Sequence, residues 1–255
     1  MNLVTEKYKE EKDMSSFSFD TTDWKEIKKN LYYRIVNENV LSQYGDNIPY
    51  IKYMDLAKTV TIREKINDVI HSHFITEEDI KRYNVSWEQV VACTNVSERT
   101  KKDGRIDLLS NFLLRHTSSM FPLVSVPKGA VLGIGEKDFV VDQDSSGNPN
   151  ILISYSRKFG FGAAYGFSND ALKKAYYKFG RENFYIVPMS IHNLLFIKES
   201  YVSKNGEKPM ADIEEDLSDM IAAVNDDIDS WKNILSYNIY KFLADEGGRL
   251  MIVTK

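Results

Sequence analysis

Ser190 and His192 stand two residues apart between apolar runs, in NFYIVPMSIHNLLFI, and a serine beside a histidine is raw material for nucleophilic catalysis. Such a hydroxyl works only when a base meets its Oγ, a third group orients that base, and oxyanion donors lie alongside. Residues two apart on an extended chain point to the same side but do not bring Oγ onto the imidazole. No G-x-S-x-G elbow surrounds this serine. The stretch is read as the corner between two strands, with Ser190 and His192 kept as an alternative pocket and no catalytic residue assigned. His71 and His73 form an H-x-H pair, with His116 elsewhere. On a strand such a pair can share a metal; on a helix the rings diverge. NDVIHSHFITEED reads as the end of a helix, where histidine suits the negative end of the dipole, so no metal site and no cofactor are assigned.

Two glycine-bearing stretches imitate ligand loops. DQDSSGNPN offers Asp142, Asp144, Ser146 and Gly147 in the order of a calcium loop, but position twelve falls on Ile153, where a bidentate acid is needed. It reads as a hairpin turn. GFGAAYG resembles a dinucleotide loop, yet its third glycine comes one position late and no helix opens on it. Arg157 and Lys158 among Phe159, Phe161 and Tyr165 have the composition of a base-stacking patch; core aromatics of a strand explain the same residues. The lone cysteine, Cys93, excludes an internal disulfide. The remaining feature is acidic. Between Asp212 and Asp229 lie eight carboxylates (Asp212, Glu214, Glu215, Asp216, Asp219, Asp226, Asp227, Asp229) and no Lys or Arg. Such a run is the solvated face of an amphipathic helix, or a strip that steers a basic partner. Asp212, Glu215, Asp216 and Asp219 are the candidate contacts.

The elements that must position these groups follow from periodicity. Trp24, Ile27, Leu31, Ile35 and Val36 recur at helical spacing behind caps at Asp20 to Asp23. GDNIP breaks the chain, and YIKYMDLA alternates as a strand. Thr76 with Asp79, and Ser86 with Gln89, form tandem capping boxes that predict two short helices around a turn at Tyr83 to Val85. Residues 105–119 read as a helix, and FPLVSVPKG as a linker between halves. Beyond it come strands at Asp138 to Val141 and Ile151 to Tyr155, a Gly/Ala-rich strand to Gly166, and a helix from Ser168 to Gly180. FYIVPM and NLLFI are two more strands, followed by a polar loop, YVSKNGEKP. Ile213, Leu217, Met220, Ile221 and Val224 stripe one helix, and the tail is a hairpin turning at Glu246-Gly247-Gly248. The fold expected is α+β, with mixed sheets, an N-terminal arm over 1–19, and halves over 20–125 and 126–255.

Several stretches together carry a resemblance: DWKEIKKNLYYRIVN, IPYIKYMDLA, ITEEDIKRYNVSWEQVVACTN, FPL, ENFYIVPMSIHNLLFI and MIAAVNDDIDSWKNILSYNIYKF. From about residue 18 onward, the chain resembles an uncharacterised bacterial family common in clostridia and classed as a domain of unknown function. The resemblance implies a fold of two strand-strand-helix units and no assigned activity. By that comparison the chain lacks the family's usual N-terminal unit, and KTVTIREKINDVIHSHF is longer and more helix-like than the family's second strand there. A shortened copy fits a phage or other mobile element.

Of the 255 residues 43% are hydrophobic and 12% aromatic, enough for a packed core. A net charge of -4 argues against direct attraction to nucleic acid or anionic lipid. No apolar run reaches the roughly 18 residues of a membrane span, and the N-terminus has no signal-peptide h-region, so the expected location is cytoplasmic. The functional expectation is a non-enzymatic, protein-binding module, in its narrower form a mobile-element factor that inhibits a host defence protein. The alternatives are a carboxylate- or metal-dependent hydrolase, and a sensor holding a small ligand between its halves. The oligomeric state has no signature in the sequence.

Overall fold

The computed structural model describes Trp24 and residues 31–44, 47–66, 69–91, 123–125, 143–154, 162–204, 206–244 and 248–253. The chain divides into two compact units, Met1–Met120 and Phe121–Lys255. Each carries an antiparallel sheet with helices beside it, an α+β arrangement. Each also holds a strand-strand-helix run.

In the first unit the described elements are β1 (Leu31–Asn37), α1 (Glu38–Leu41), β2 (Ile51–Tyr53), β3 (Leu56–Ile66), β4 (Val69–Phe74), α2 (Glu77–Arg82) and α3 (Trp87–Val91). The long β3 pairs with β1 along one side and with β2 and then β4 along the other. Two expectations are corrected here. Leu31–Asn37 is a strand rather than the continuation of a helix, with Leu31 opposite Ile62 and Asn37 opposite Leu56. Spacings of four fit one face of a strand as well as of a helix, and Tyr32, Tyr33, Ile35 and Val36 favour the pleated surface. The helix-like stretch KTVTIREKINDVIHSHF likewise supplies strand, in β3 as far as Ile66 and in β4 from Val69, which returns along β3 from Ile66↔Val69 to Thr61↔Phe74. Leu31, Val60, Ile62, Ile75, Tyr83 and Val90 form the core of this unit. Both capping boxes form: Asp79 N donates to Thr76 Oγ1 (3.2 Å) and Thr76 N to the Asp79 carboxylate (3.0 Å). Gln89 N donates to Ser86 Oγ (3.2 Å) and Ser86 N to Gln89 Oε1 (2.8 Å).

The second unit contains β5 (Leu123–Ser125), β6 (Ile151–Ser154), α4 (Gly162–Gly166), α5 (Asn169–Lys178), β7 (Phe184–Pro188), β8 (Leu194–Lys198), α6 (Glu199–Val202), α7 (Met210–Asp226), β9 (Ile239–Leu243) and β10 (Arg249–Val253). The strands form one sheet in the order β10-β9-β7-β8-β6-β5, and β9 with β10 is the C-terminal hairpin. The central β7 and β8 are buried at every residue. That explains the unbroken apolar runs FYIV and LLFI, since a strand covered on both faces need not alternate. Leu123–Ser125, read as linker, is instead an edge strand paired with β6. Gly162–Gly166, read as strand, is a helical turn. A Cβ on Gly166 would stand 2.6 Å from Leu194 Cδ1 and 3.1 Å from Phe196 Cζ, so the small residues serve close helix-on-sheet approach. The polar loop after β8 begins as the short helix α6. Ser168 caps α5 by accepting from Ala171 N (3.1 Å), and Gly180 leaves it at φ 74°.

The expected arm over 1–19, the helix at 105–119 and the strand at Asp138 to Val141 lie outside the described residues, as do Cys93, His116, Arg157, Lys158, Phe159 and Phe161. No described helix is long and apolar enough to cross a membrane.

Candidate functional site

Helix α7 turns Ile213, Leu217 and Ile221 onto the sheet, where they meet Tyr185, Val187, Leu195 and Ile197. At about 100° per residue, positions 212, 215, 216 and 219 then share the side away from that anchor. The structure brings all four candidate acids, Asp212, Glu215, Asp216 and Asp219, to one exposed face. Asp216 is ion-paired with Lys208. Asp226 and the C-cap Asp227 extend the charge to the end of the helix, whose last turn holds no basic residue. The chain beyond is tied back by Asn225 Nδ2 donating to Ser236 O (3.1 Å), and it exposes Trp231 (45%) and Tyr237 (64%). Sequence reasoning missed these two aromatics, because nothing in the local pattern separates an exposed ring from a core one.

Ser190 and His192 occupy the turn between β7 and β8. The serine hydroxyl accepts from the backbone N–H of His192 (3.0 Å), so its near partner is main chain. Met189 N and Ser190 N both donate to Asn193 O, and Ile191 N donates to Asn233 O (2.9 Å). The pair therefore sits in a tight corner, which Ile191 between them pins to the segment following α7. Among the described residues no three His, Cys, Asp or Glu side chains gather as metal ligands. His73 Nε2 lies 3.5 Å from Asp79 Oδ2, tying β4 to the capping box of α2. Burial works to raise the Asp79 pKa, but hydrogen bonds from His73 and Thr76 outweigh it and the net shift is downward.

The calcium-like loop is a turn with an ionic clasp. Asp144 Oδ1 accepts from Ser146 N (2.8 Å) and Asn148 N (2.9 Å), while Oδ2 accepts from Lys198 Nζ (2.6 Å). Lys198, with a side chain 3% exposed, also reaches Glu182 Oε1 at 2.9 Å. The Lys198 ammonium and the backbone N–H of Asn148 hold the Asp144 carboxyl well below the usual range. Burial pulls the Lys198 pKa down, but its bonds to Asp144 and Glu182 prevail and leave it raised. This clasp was invisible in the sequence, since a lysine ending an apolar run gives no sign of an acid 54 residues away. Tyr165, considered for stacking on bases, is buried and donates to Asp170 Oδ2 (2.7 Å).

One further feature had no sequence signal. Between the sheet and α6–α7 lies a cavity of about 460 Å³, floored by Leu195 and Ile197, walled by Val202, Leu217 and Met220, with Lys204, Lys208 and Asp216 at its rim. No curated protein and no solved structure matches the chain. A family model described as a family of unknown function, DUF5688, matches residues 1–243, which include both the acidic helix and the cavity, and the chain belongs to that family.

Proposed function

We propose that the protein is a binding module that engages a basic surface of another protein through the acidic face of α7. The observation that carries this reading is where the acids stand. Asp212 suits the positive end of the helix dipole, but Asp226 and Asp227 crowd the negative end, where Lys or Arg would stabilise the helix. Carboxylates placed against the helix's own preference answer to something outside it, and a one-signed strip accelerates and orients encounter with an oppositely charged partner. Trp231 and Tyr237, exposed beyond the same helix end, are residue types that anchor interfaces. In its narrower form the protein is a cytoplasmic phage or mobile-element factor. Its partner is then a host defence protein whose nucleic-acid groove the strip occupies.

The test is a pull-down from host lysate at low and moderate salt, comparing the protein with its D212K/E215K/D219K variant. A stoichiometric partner held at low salt, weakened at moderate salt and lost by the variant is the expected result. Equal recovery by both proteins, or no stoichiometric partner, overturns the proposal.

A further inference from the structure

The cavity under α6 and α7 asks for an occupant on different grounds from the acidic face. This recess opens to solvent and holds about 460 Å³, within the roughly 300–1,000 Å³ range of small-molecule pockets. Its floor and walls are aliphatic, with Tyr201 the one ring among them. Apart from the Tyr201 hydroxyl, the lining below the rim offers no polar side chain, so what enters is chiefly a tail whose charged head remains at the mouth.

The charges at the mouth choose the head. Lys208 and Asp216 neutralise one another in an ion pair. That leaves Lys204, exposed and with no carboxylate partner among the described residues. Its place is fixed by the turn it sits in: Gly206 N and Lys208 N both donate to Ser203 O (3.0 and 2.9 Å), and Lys204 itself is held at φ 47°. Asp212, Glu215 and Asp219 stand on the outward face of α7 and do not line the cavity. The rim therefore carries one uncompensated positive charge above an apolar interior. We infer that this cavity binds an aliphatic carboxylate, with the chain laid along Ile197 and Leu217 and the head on Lys204. Met220, unbranched and adaptable, lets the wall close on a flexible chain.

Three amphiphiles built on ten-carbon chains separate the parts of the inference: decanoate, decanol and decyltrimethylammonium, each titrated into the full chain by calorimetry. Decanoate is expected to bind about tenfold more tightly than the cationic amphiphile, a difference of about 1.4 kcal/mol, with decanol between them. Lys204→Glu removes that preference and leaves decanol unchanged, and the residue is exposed enough for the fold to tolerate the change. Val202→Trp, which fills the cavity, weakens all three. Equal affinity for the three probes, no binding of decanoate, or a Lys204→Glu protein that still prefers decanoate would each overturn the inference. The acidic-face variant D212K/E215K/D219K keeps its decanoate affinity, so this site and the protein-binding reading stand or fall separately.

Discussion

Beneath α4 and α5, the six-stranded sheet of the second unit is sealed by rings: Phe184 stacks on Phe242 at 4.8 Å, and Phe167 meets Tyr240 edge-on at 5.0 Å. The other face, beneath α6 and α7, is mostly aliphatic around Tyr185 and Tyr201 and leaves a recess of about 460 Å³. Charge follows the same division. On the ring face Lys198 is buried and both its carboxylates are accounted for; over the other face Asp212, Glu215 and Asp219 project without a described lysine or arginine partner. Saturated packing and saturated charge have nothing left to offer a ligand. The face that keeps both a void and an excess of one sign is where binding belongs.

The strongest way to break this comparison is to open the sealed face. Lys198→Met leaves the partly exposed Asp144 and Glu182 without their shared cation, which lowers stability. Urea denaturation should show that loss while leaving decanoate binding intact. The pH dependence carries the same signature. Asp144 has a folded pKa below its ordinary 3.8, so its contribution is present above that value and is lost as pH falls through and below it. Lys198 is raised above its ordinary 10.5, so its contribution is complete below that value and fades as pH rises past it. The clasp is thus at full strength across the neutral range, and the stability gap between wild type and Lys198→Met should narrow in acid. A constant gap down to pH 2 would remove the ionic account.

Gly166→Ala tests the same face by volume rather than charge. The added Cβ meets Leu194 and Phe196, both fully buried, and overpacking of this kind costs about 1–3 kcal/mol. A variant as stable as wild type would mean that the ring face has slack, and the contrast between the two faces would lose its basis.

How much of this could be read from the chain depends on how far each signal reaches. The two capping boxes were legible because every partner lies within three residues, as were the β7–β8 corner and the C-terminal hairpin. The acidic strip was legible as a strip, since helical spacing alone sets 212, 215, 216 and 219 on one side. Leu31–Asn37 misled because its apolar spacing satisfies helix and strand alike, and only pairing with β3 decides between them. GFGAAYG misled for a related reason: small residues announce close approach without naming what approaches. The Lys198 clasp and the cavity were not legible at all. Both are assembled from segments that meet only in the folded sheet, so their chemistry belongs to tertiary contact.

The smallest effect is the most discriminating. Asp226→Lys reverses a charge at the exposed C-terminal end of α7, where a cation complements the helix dipole, and such changes stabilise by about 0.5 kcal/mol. In a protein of this size that raises the melting temperature by roughly 1–2 °C. If the acids at that end serve only to keep a surface helix hydrated, the substitution improves the protein and costs nothing else. If they serve a basic partner, the same substitution makes the protein more stable and its complex weaker. Residues kept for folding lose both together, so opposite signs in one variant would mark the end of α7 as held for binding at the helix's expense. A variant that gains stability and binds as tightly as wild type would confine the contact to Asp212, Glu215 and Asp219, at the other end of the helix.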